Sequence, residues 1–385
     1  MLSILGRRNP EEIGERLRAA RSKAGLTQEQ VSQELQIART TLLAIEKGQR
    51  RVRPDEFRRL ADLYRVSVNT LLRHAAVHVD LVPRFRALAG TDESSKIEAA
   101  QLLNNLAAAE VELEQRLGQP LKTNYPPEYT IQSGDIRLQA EDVAMETRHR
   151  FGIGQSPVVD VLTLLELEVG MRVFVRPLKS SISGLFIYDD RLGACMLLNE
   201  KHPRTRRALT ALHEFGHFIS VRTAPDVVDL TVSPQSREDR FANLFAVSFM
   251  MPAAVVRRKF HEMRQDSGRF SPRHLILLSH YFNVSIEAMC RRLEGIDLLP
   301  GGTWDSLKDR GGFPGETVRR ELGDRAKERE EAIPPRLWLL AAEAFRRELF
   351  DEGQIAQMLS MGRVEVRGML DDLEVGGNDD LQSAS

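Results

Sequence analysis

Five consecutive residues, His213-Glu214-Phe215-Gly216-His217, constrain this chain more than any others. Residues four apart on a helix share a face, so as a helix the two imidazoles project together and can grip one metal ion. Glu214 then lies about 100° round the axis, placed to reach a water on that metal rather than the metal itself. The surrounding stretch, Thr205–Val221, has a helical pattern. Gly216, costly inside a helix, fits a place where something must approach the backbone closely. Such a pair needs a third protein ligand and one open position. A second helical stretch supplies candidates: opened by Ser233-Pro234, it runs from Glu238-Asp239 through Asn243 to Met250-Met251-Pro252. Asp239 shares a face with Asn243, whose amide can orient a ligating histidine. Glu238 has the longer reach. Spacing leans to Asp239 and leaves both open.

Ahead of this pair the period of the apolar residues changes. Ala140–Arg150 and Pro157–Glu168 read as helices, whereas Met171–Val175, Gly184–Tyr188 and Ala194–Asn199 alternate as short strands between turn residues. A small antiparallel sheet is expected, with Ala194–Asn199 available to pair with an extended peptide.

The N-terminal stretch from Ile13 to Leu72 reads as five short helices. Thr27 caps the second, with Gln30 as its capping-box partner and Leu26 and Val31 as a staple. After a tight turn a third helix begins at Arg39-Thr40-Thr41 and is closed by Gly48; Pro54 opens the fourth and Ser67 caps the last. This is the spacing of a helix-turn-helix, in which the first turn of the second helix meets base edges in the major groove. Arg39 can fork onto guanine, and Thr40 and Thr41 offer hydroxyls and methyls. Gln28, Lys47, Arg50, Arg51 and Arg53 are placed to hold phosphates. Composition supports the division. The whole chain is nearly neutral, at −1, yet Met1–Ala75 carries a net +6 and the remainder −7. A basic head on an acidic body is itself a partner signal.

Two resemblances follow from these motifs. Through Thr27-Gln28-Glu29-Gln30-Val31 and Ile45-Glu46-Lys47-Gly48 the head resembles the phage-repressor-like helix-turn-helix family, which implies binding to double-stranded DNA as a homodimer. Arg204-Thr205-Arg206-Arg207, the His213–His217 motif, Phe241-Ala242-Asn243-Leu244-Phe245-Ala246 and Met250-Met251-Pro252 resemble the ImmA/IrrE family of zinc metallopeptidases. That resemblance implies Zn2+, His213 and His217 as ligands with an acidic third, Glu214 as general base, and a regulatory protein as substrate. The family's third ligand is usually a glutamate placed before Ala-Asn, where this chain has the pair Glu238-Asp239.

The rest of the chain is plainer. Ser94–Leu117 has loose helical spacing and suits either a dimerising helix or a spacer packed on a neighbour. Gly301–Gly315 reads as a Gly-rich loop, and Pro335–Arg347, Gly353–Leu359 and Arg363–Leu373 outline a second helix-turn-helix-like region before an acidic tail. Two cysteines, Cys195 and Cys290, are too few for a disulfide framework. No apolar run approaches the roughly 20 residues that span a bilayer, so a cytoplasmic protein without membrane contact is expected. The fold class expected is α+β, mostly α. Its segments are a helix-turn-helix domain (1–76), a helical connector (77–130), a zincin-like domain with a small antiparallel sheet (131–297) and a C-terminal helical region (298–385). Three functions fit: a DNA-binding regulator that cleaves a regulatory protein, a non-enzymatic regulator or antitoxin using the metal domain as sensor, and a DNA-activated protease.

Overall fold

The computed structural model describes residues 10–64, 71, 93–179, 182–222, 226–228, 236–323 and 335–375. The chain divides into two compact units, Met1–Ala75 and Ala76–Ser385. It is mostly helical around one small sheet, an α+β arrangement. Among the described residues no single helix is long and apolar enough to cross a membrane.

The first unit contains α1 (Pro10–Lys23), α2 (Gln28–Leu35), α3 (Arg39–Glu46) and α4 (Pro54–Leu63). The Thr27 hydroxyl accepts from the Gln30 N–H and the Gln30 side chain accepts from the Thr27 N–H, so two orphan donors at the start of α2 are satisfied. Gln36 then takes a left-handed conformation that turns the chain into α3. Ile13, Leu17, Val31, Leu35, Leu42, Ile45, Phe57 and Leu60 fill the core. α1 passes so close to the end of α3 that a Cβ on Gly14 would stand 2.4 Å from the Ile45 carbonyl oxygen. The same crossing is clamped by charge. Glu46 is buried and accepts from Arg21 Nε at 2.6 Å, from Arg21 Nη2 at 3.1 Å and from Gln28 Nε2 at 2.8 Å. The fifth helix expected from Ser67 lies outside the described residues except for Leu71.

The second unit is built on a four-stranded sheet of order β1-β3-β2-β4, with β1 (Arg172–Arg176), β2 (Gly184–Asp189), β3 (Gly193–Asn199) and β4 (Asp226–Val228). β3 pairs parallel to β1 and antiparallel to β2, and β2 pairs antiparallel to β4. The sheet is therefore mixed, not antiparallel as the alternation suggested. Alternation reports which face a side chain takes, not which strand lies beside it; here the chain leaving β1 passes over the place that β3 fills. Because β3 has neighbours on both sides, it offers no edge to a peptide, and the expected pairing there is ruled out. β1 and β4 are the edge strands.

α5 (Glu93–Leu117) and α6 (Ile136–Arg150) precede the sheet. The helix expected over Pro157–Glu168 is shorter and wider: Asp160 caps one turn, α7 (Val161–Thr163), which opens into a π-turn, Leu164–Val169, ended by Gly170 in a left-handed conformation. α8 (Arg204–Ser220) and α9 (Arg237–Met250) flank β4 in sequence. Then come α10 (Ala253–Ser267), α11 (Pro272–Tyr281), α12 (Ile286–Gly295), α13 (Thr303–Asp309), α14 (Gly315–Leu322), α15 (Pro335–Arg346), α16 (Glu352–Leu359) and α17 (Arg363–Val375). The Gly-rich stretch read as a loop thus holds a helix, α13, because its glycines lie at the ends and Thr303–Asp309 between them has none.

Two cores use the two faces of the sheet. Val173, Val175, Phe186, Met196 and Leu198 pack with Phe215 and Phe218 of α8 and Phe241, Phe245 and Phe249 of α9. Phe174, Leu185, Ile187, Cys195 and Leu197 pack with α5 and with α15–α17. The expected connector and the C-terminal region hence share one core behind the sheet. A buried ion network fastens them. Arg172 Nη2 donates to Glu114 at 2.8 Å, and Arg336 donates to Glu114 from Nη2 at 2.8 Å and to Glu110 from Nε at 3.3 Å. The Arg336 backbone N–H donates to Glu166 of the π-turn at 3.3 Å. Three carboxyls face two guanidiniums. Burial pushes Glu110 up to about 7 against the pull of Arg172, and Glu166 up to about 8, reinforced by Glu110.

Candidate metal centre and nucleic-acid interface

α8 and α9 cross at their smallest residues. A Cβ on Gly216 would lie 2.8 Å from Ala242 Cα. This is the close approach that the glycine suggested, and it sets Asp239 and Asn243 of α9 opposite the histidines of α8. α9 starts one turn later than expected from Ser233-Pro234, which lie outside the described residues. Its cap is Ser236, whose hydroxyl accepts from the Asp239 N–H while Asp239 Oδ2 accepts from the Ser236 N–H, each at 3.0 Å. The other end is held by arginines: buried Arg148 donates to the Phe249 carbonyl and Arg292 Nε to the Met251 carbonyl.

The geometry gathers most of the expected residues. His213 Nδ1 lies 2.9 Å from Asn243 Oδ1. Donating that proton to the amide oxygen leaves the lone pair of His213 on Nε2. His213 Nε2 and His217 Nε2 face each other at 3.2 Å. Asp239 Oδ1 stands 3.5 Å from His217 Nε2, while Oδ2 remains in the cap. Glu214 is fully buried beside them. Burial lowers the pKa of His217, opposed by the charges of Asp239 and then Glu238, so the ring favours its neutral, ligating form. No hydrogen bond or ion pair joins Glu238 to either imidazole among the described residues.

Two of the three donor separations are close to what a zinc ion needs. Bonds of about 2.0–2.1 Å imply tetrahedral edges of roughly 3.3–3.4 Å, and the His213–His217 and His217–Asp239 separations, 3.2 and 3.5 Å, bracket that length. Three such side chains are not yet gathered into a closed set among the described residues. The Asp239 side chain is 33% exposed, with Oδ2 held in the Ser236 cap and Oδ1 turned to His217. Arg222, just past α8, lies 4.5 Å over the Phe218 ring and donates to the Pro126 carbonyl.

In the first unit Arg39, Thr40, Lys47, Arg51 and Arg53 are exposed, and Thr41 is half-buried. Arg39 makes only a loose pair with Glu29, at 3.9 Å. The remaining two expected contacts are turned inward. Gln28 is tied to Glu46, and Arg50 forks onto Glu56 at 3.0 and 2.8 Å, joining the turn after α3 to α4. Arg21 was not singled out from sequence, yet it lines the depression at the start of α2 with Thr27, Gln28 and Arg39. Its signal was a basic residue in α1 opposite an acidic one ending α3, visible only once both helices are packed.

Comparison with known families agrees with this division. Residues 12–75 match the model of a helix-turn-helix domain. Residues 167–294 match that of the IrrE N-terminal-like domain, a peptidase family, and this span contains the sheet, both histidines, Asp239 and Asn243. No curated protein matches the chain. The chain thus joins a helix-turn-helix domain to an IrrE N-terminal-like domain, the pairing that its motifs resemble.

Proposed function

We propose that the chain is a DNA-binding transcriptional regulator whose IrrE-like domain is a zinc-dependent endopeptidase acting on a regulatory protein, either a repressor, an antitoxin or the chain itself. The carrying observation is the convergence of His213 and His217 Nε2 with Asp239 Oδ1 beside a buried glutamate. His213, His217 and Asp239 would hold the ion, with Asp239 preferred to Glu238 because its carboxylate already faces His217. Zinc bound there supplies Lewis acidity, which polarises a peptide carbonyl and acidifies water. Glu214 takes the proton of the attacking water and passes it to the leaving amine nitrogen as the C–N bond breaks. Asn243 holds His213 in the tautomer that keeps Nε2 free to ligate. The edge strand β4 suits pairing with an extended substrate. Arg39, Thr40 and Thr41 read bases while Lys47, Arg51 and Arg53 hold phosphates; Gln28 and Arg50 join them only by releasing Glu46 and Glu56. The protein works in the cytoplasm as a homodimer under this reading.

Glu214→Gln tests the enzyme. The variant is expected to bind one zinc per chain and DNA as the wild type does, while cleavage of the regulated protein falls by at least about 100-fold. Arg39→Ala is expected to do the reverse, weakening DNA binding with cleavage retained. Because the three donors are not closed into one set, a sensor without catalysis is the second reading. Under it Glu214→Gln leaves regulation unchanged.

A further inference from the structure

α15–α17 repeat the geometry of the head step for step. In the head, a capping box opens eight-residue α2, Gln36 takes φ 56° and ψ 42°, two residues follow, and α3 begins at Arg39. Behind the sheet, Asp351 and Gln354 cap eight-residue α16, Ser360 takes φ 53° and ψ 44°, two residues follow, and α17 begins at Arg363. Val31, Leu35, Leu42 and Ile45 are buried in one; Ile355, Leu359, Val366 and Met369 are buried at the corresponding places in the other. This is a second helix-turn-helix backbone. Its charge is inverted. Thr27 and Gln28 correspond to Asp351 and Glu352, and Lys47-Gly48 to Asp371-Asp372. The two arginines of α17 are engaged within the module: Arg367 forks onto Glu352 at 3.0–3.1 Å, and the Arg363 guanidinium lies over Gly353. Phosphates would meet carboxylates where the head offers amide and ammonium groups.

Between the exposed Arg363, Glu365 and Arg367, a stripe of α17 also faces outward. α15 and α16 pack on α5. On α17, Val364, which is 84% exposed, is followed on the same face by Gly368 and the exposed Asp371 and Asp372. The head carries its complement: on α3 and just beyond, Arg39, Leu43 (37% exposed) and Lys47 follow at the same spacing. With the helices antiparallel and Gly368 opposite Leu43, Asp372 faces Arg39 and Val364 lies along the aliphatic stem of Lys47. We infer that the α17 stripe docks the α3 stripe of a second copy of the chain, so that DNA and this contact compete for the same helix. The contact is heterologous, joining unlike surfaces, and goes beyond the proteolytic reading, on which it does not depend.

The full chain carrying Val364→Cys tests this. Both native cysteines are buried, so a short thiol-to-amine cross-linker acts at position 364. Mixing isotopically light and heavy chains should give a mixed-isotope link from position 364 to Lys47. Adding double-stranded DNA should abolish it, and Asp371→Lys with Asp372→Lys should reduce it severalfold. Links confined to one isotope, a yield indifferent to DNA, or attachment of position 364 to the DNA itself would each overturn the inference.

Discussion

Glu46→Ala is expected to unfold the head while leaving the second unit intact. Glu46 is the acceptor on which α1, α2 and α3 converge, through both nitrogens of the Arg21 fork and the Gln28 amide. Its side chain is 1% exposed and that of Arg21 12%. Removing one partner of a buried pair strands the other without water, which costs about 3–5 kcal/mol. A domain as small as the head has little more than that in reserve. Calorimetry of the full chain should show the head's transition falling below working temperature, with the second unit's transition unmoved and DNA binding lost. Glu46→Gln keeps a hydrogen-bond acceptor and should lose less. An unmoved head transition in the alanine variant would show that the apolar core alone holds these helices.

The second large effect is a dependence on pH from Glu110 and Glu166. Burial raises both, to about 7 and about 8, above the value near 4.5 that they recover on unfolding. The folded chain therefore binds protons that the unfolded chain has released. The stability they contribute is complete below pH 4.5 and is lost as pH rises through 7 and 8. At about 1.4 kcal/mol per pH unit for each group, a few kcal/mol on the order of 3–5 are at stake. Glu166→Gln keeps an oxygen for the Arg336 N–H and removes one ionisation. The variant should be more stable than wild type at pH 8.5 and near parity at pH 5 in denaturant titrations. Parallel curves for the two proteins across that range would refute the assignment of the slope to this network.

Local signals in the sequence carried well into the structure, and non-local ones did not. The Thr27–Gln30 box, the turn before Arg39 and the i, i+4 histidines depend on neighbours a few residues away, and each is found where the pattern put it. Asn243 opposite His213 was also legible, since one turn of helix fixes which residues share a face with Asp239. Strand order was not: the alternation in Ala194–Asn199 is as compatible with an edge as with the centre that β3 occupies. Glu110 and Glu114 were not singled out in Ser94–Leu117, because the arginines that let them be buried lie 58 to 226 residues away. The π-turn holding Glu166 has no signature in composition. Its ending at Gly170 does, and that end was placed correctly to within a residue.

The strand between the two cores has a further consequence. Met196 and Leu198 of β3 support the side that carries α8, and Cys195 and Leu197 support the side that carries α5 and α15. The peptidase-like segment, 167–294, includes most of the first side, without the residues between Ala140 and Leu165, and none of the helices that cover the second. Excised on its own, it would present the bare apolar back of its sheet to water, the kind of surface that drives aggregation. The smallest piece of this protein able to fold is accordingly larger than its recognisable domain, and it must be cut to keep helices that lie far away at both ends of the chain.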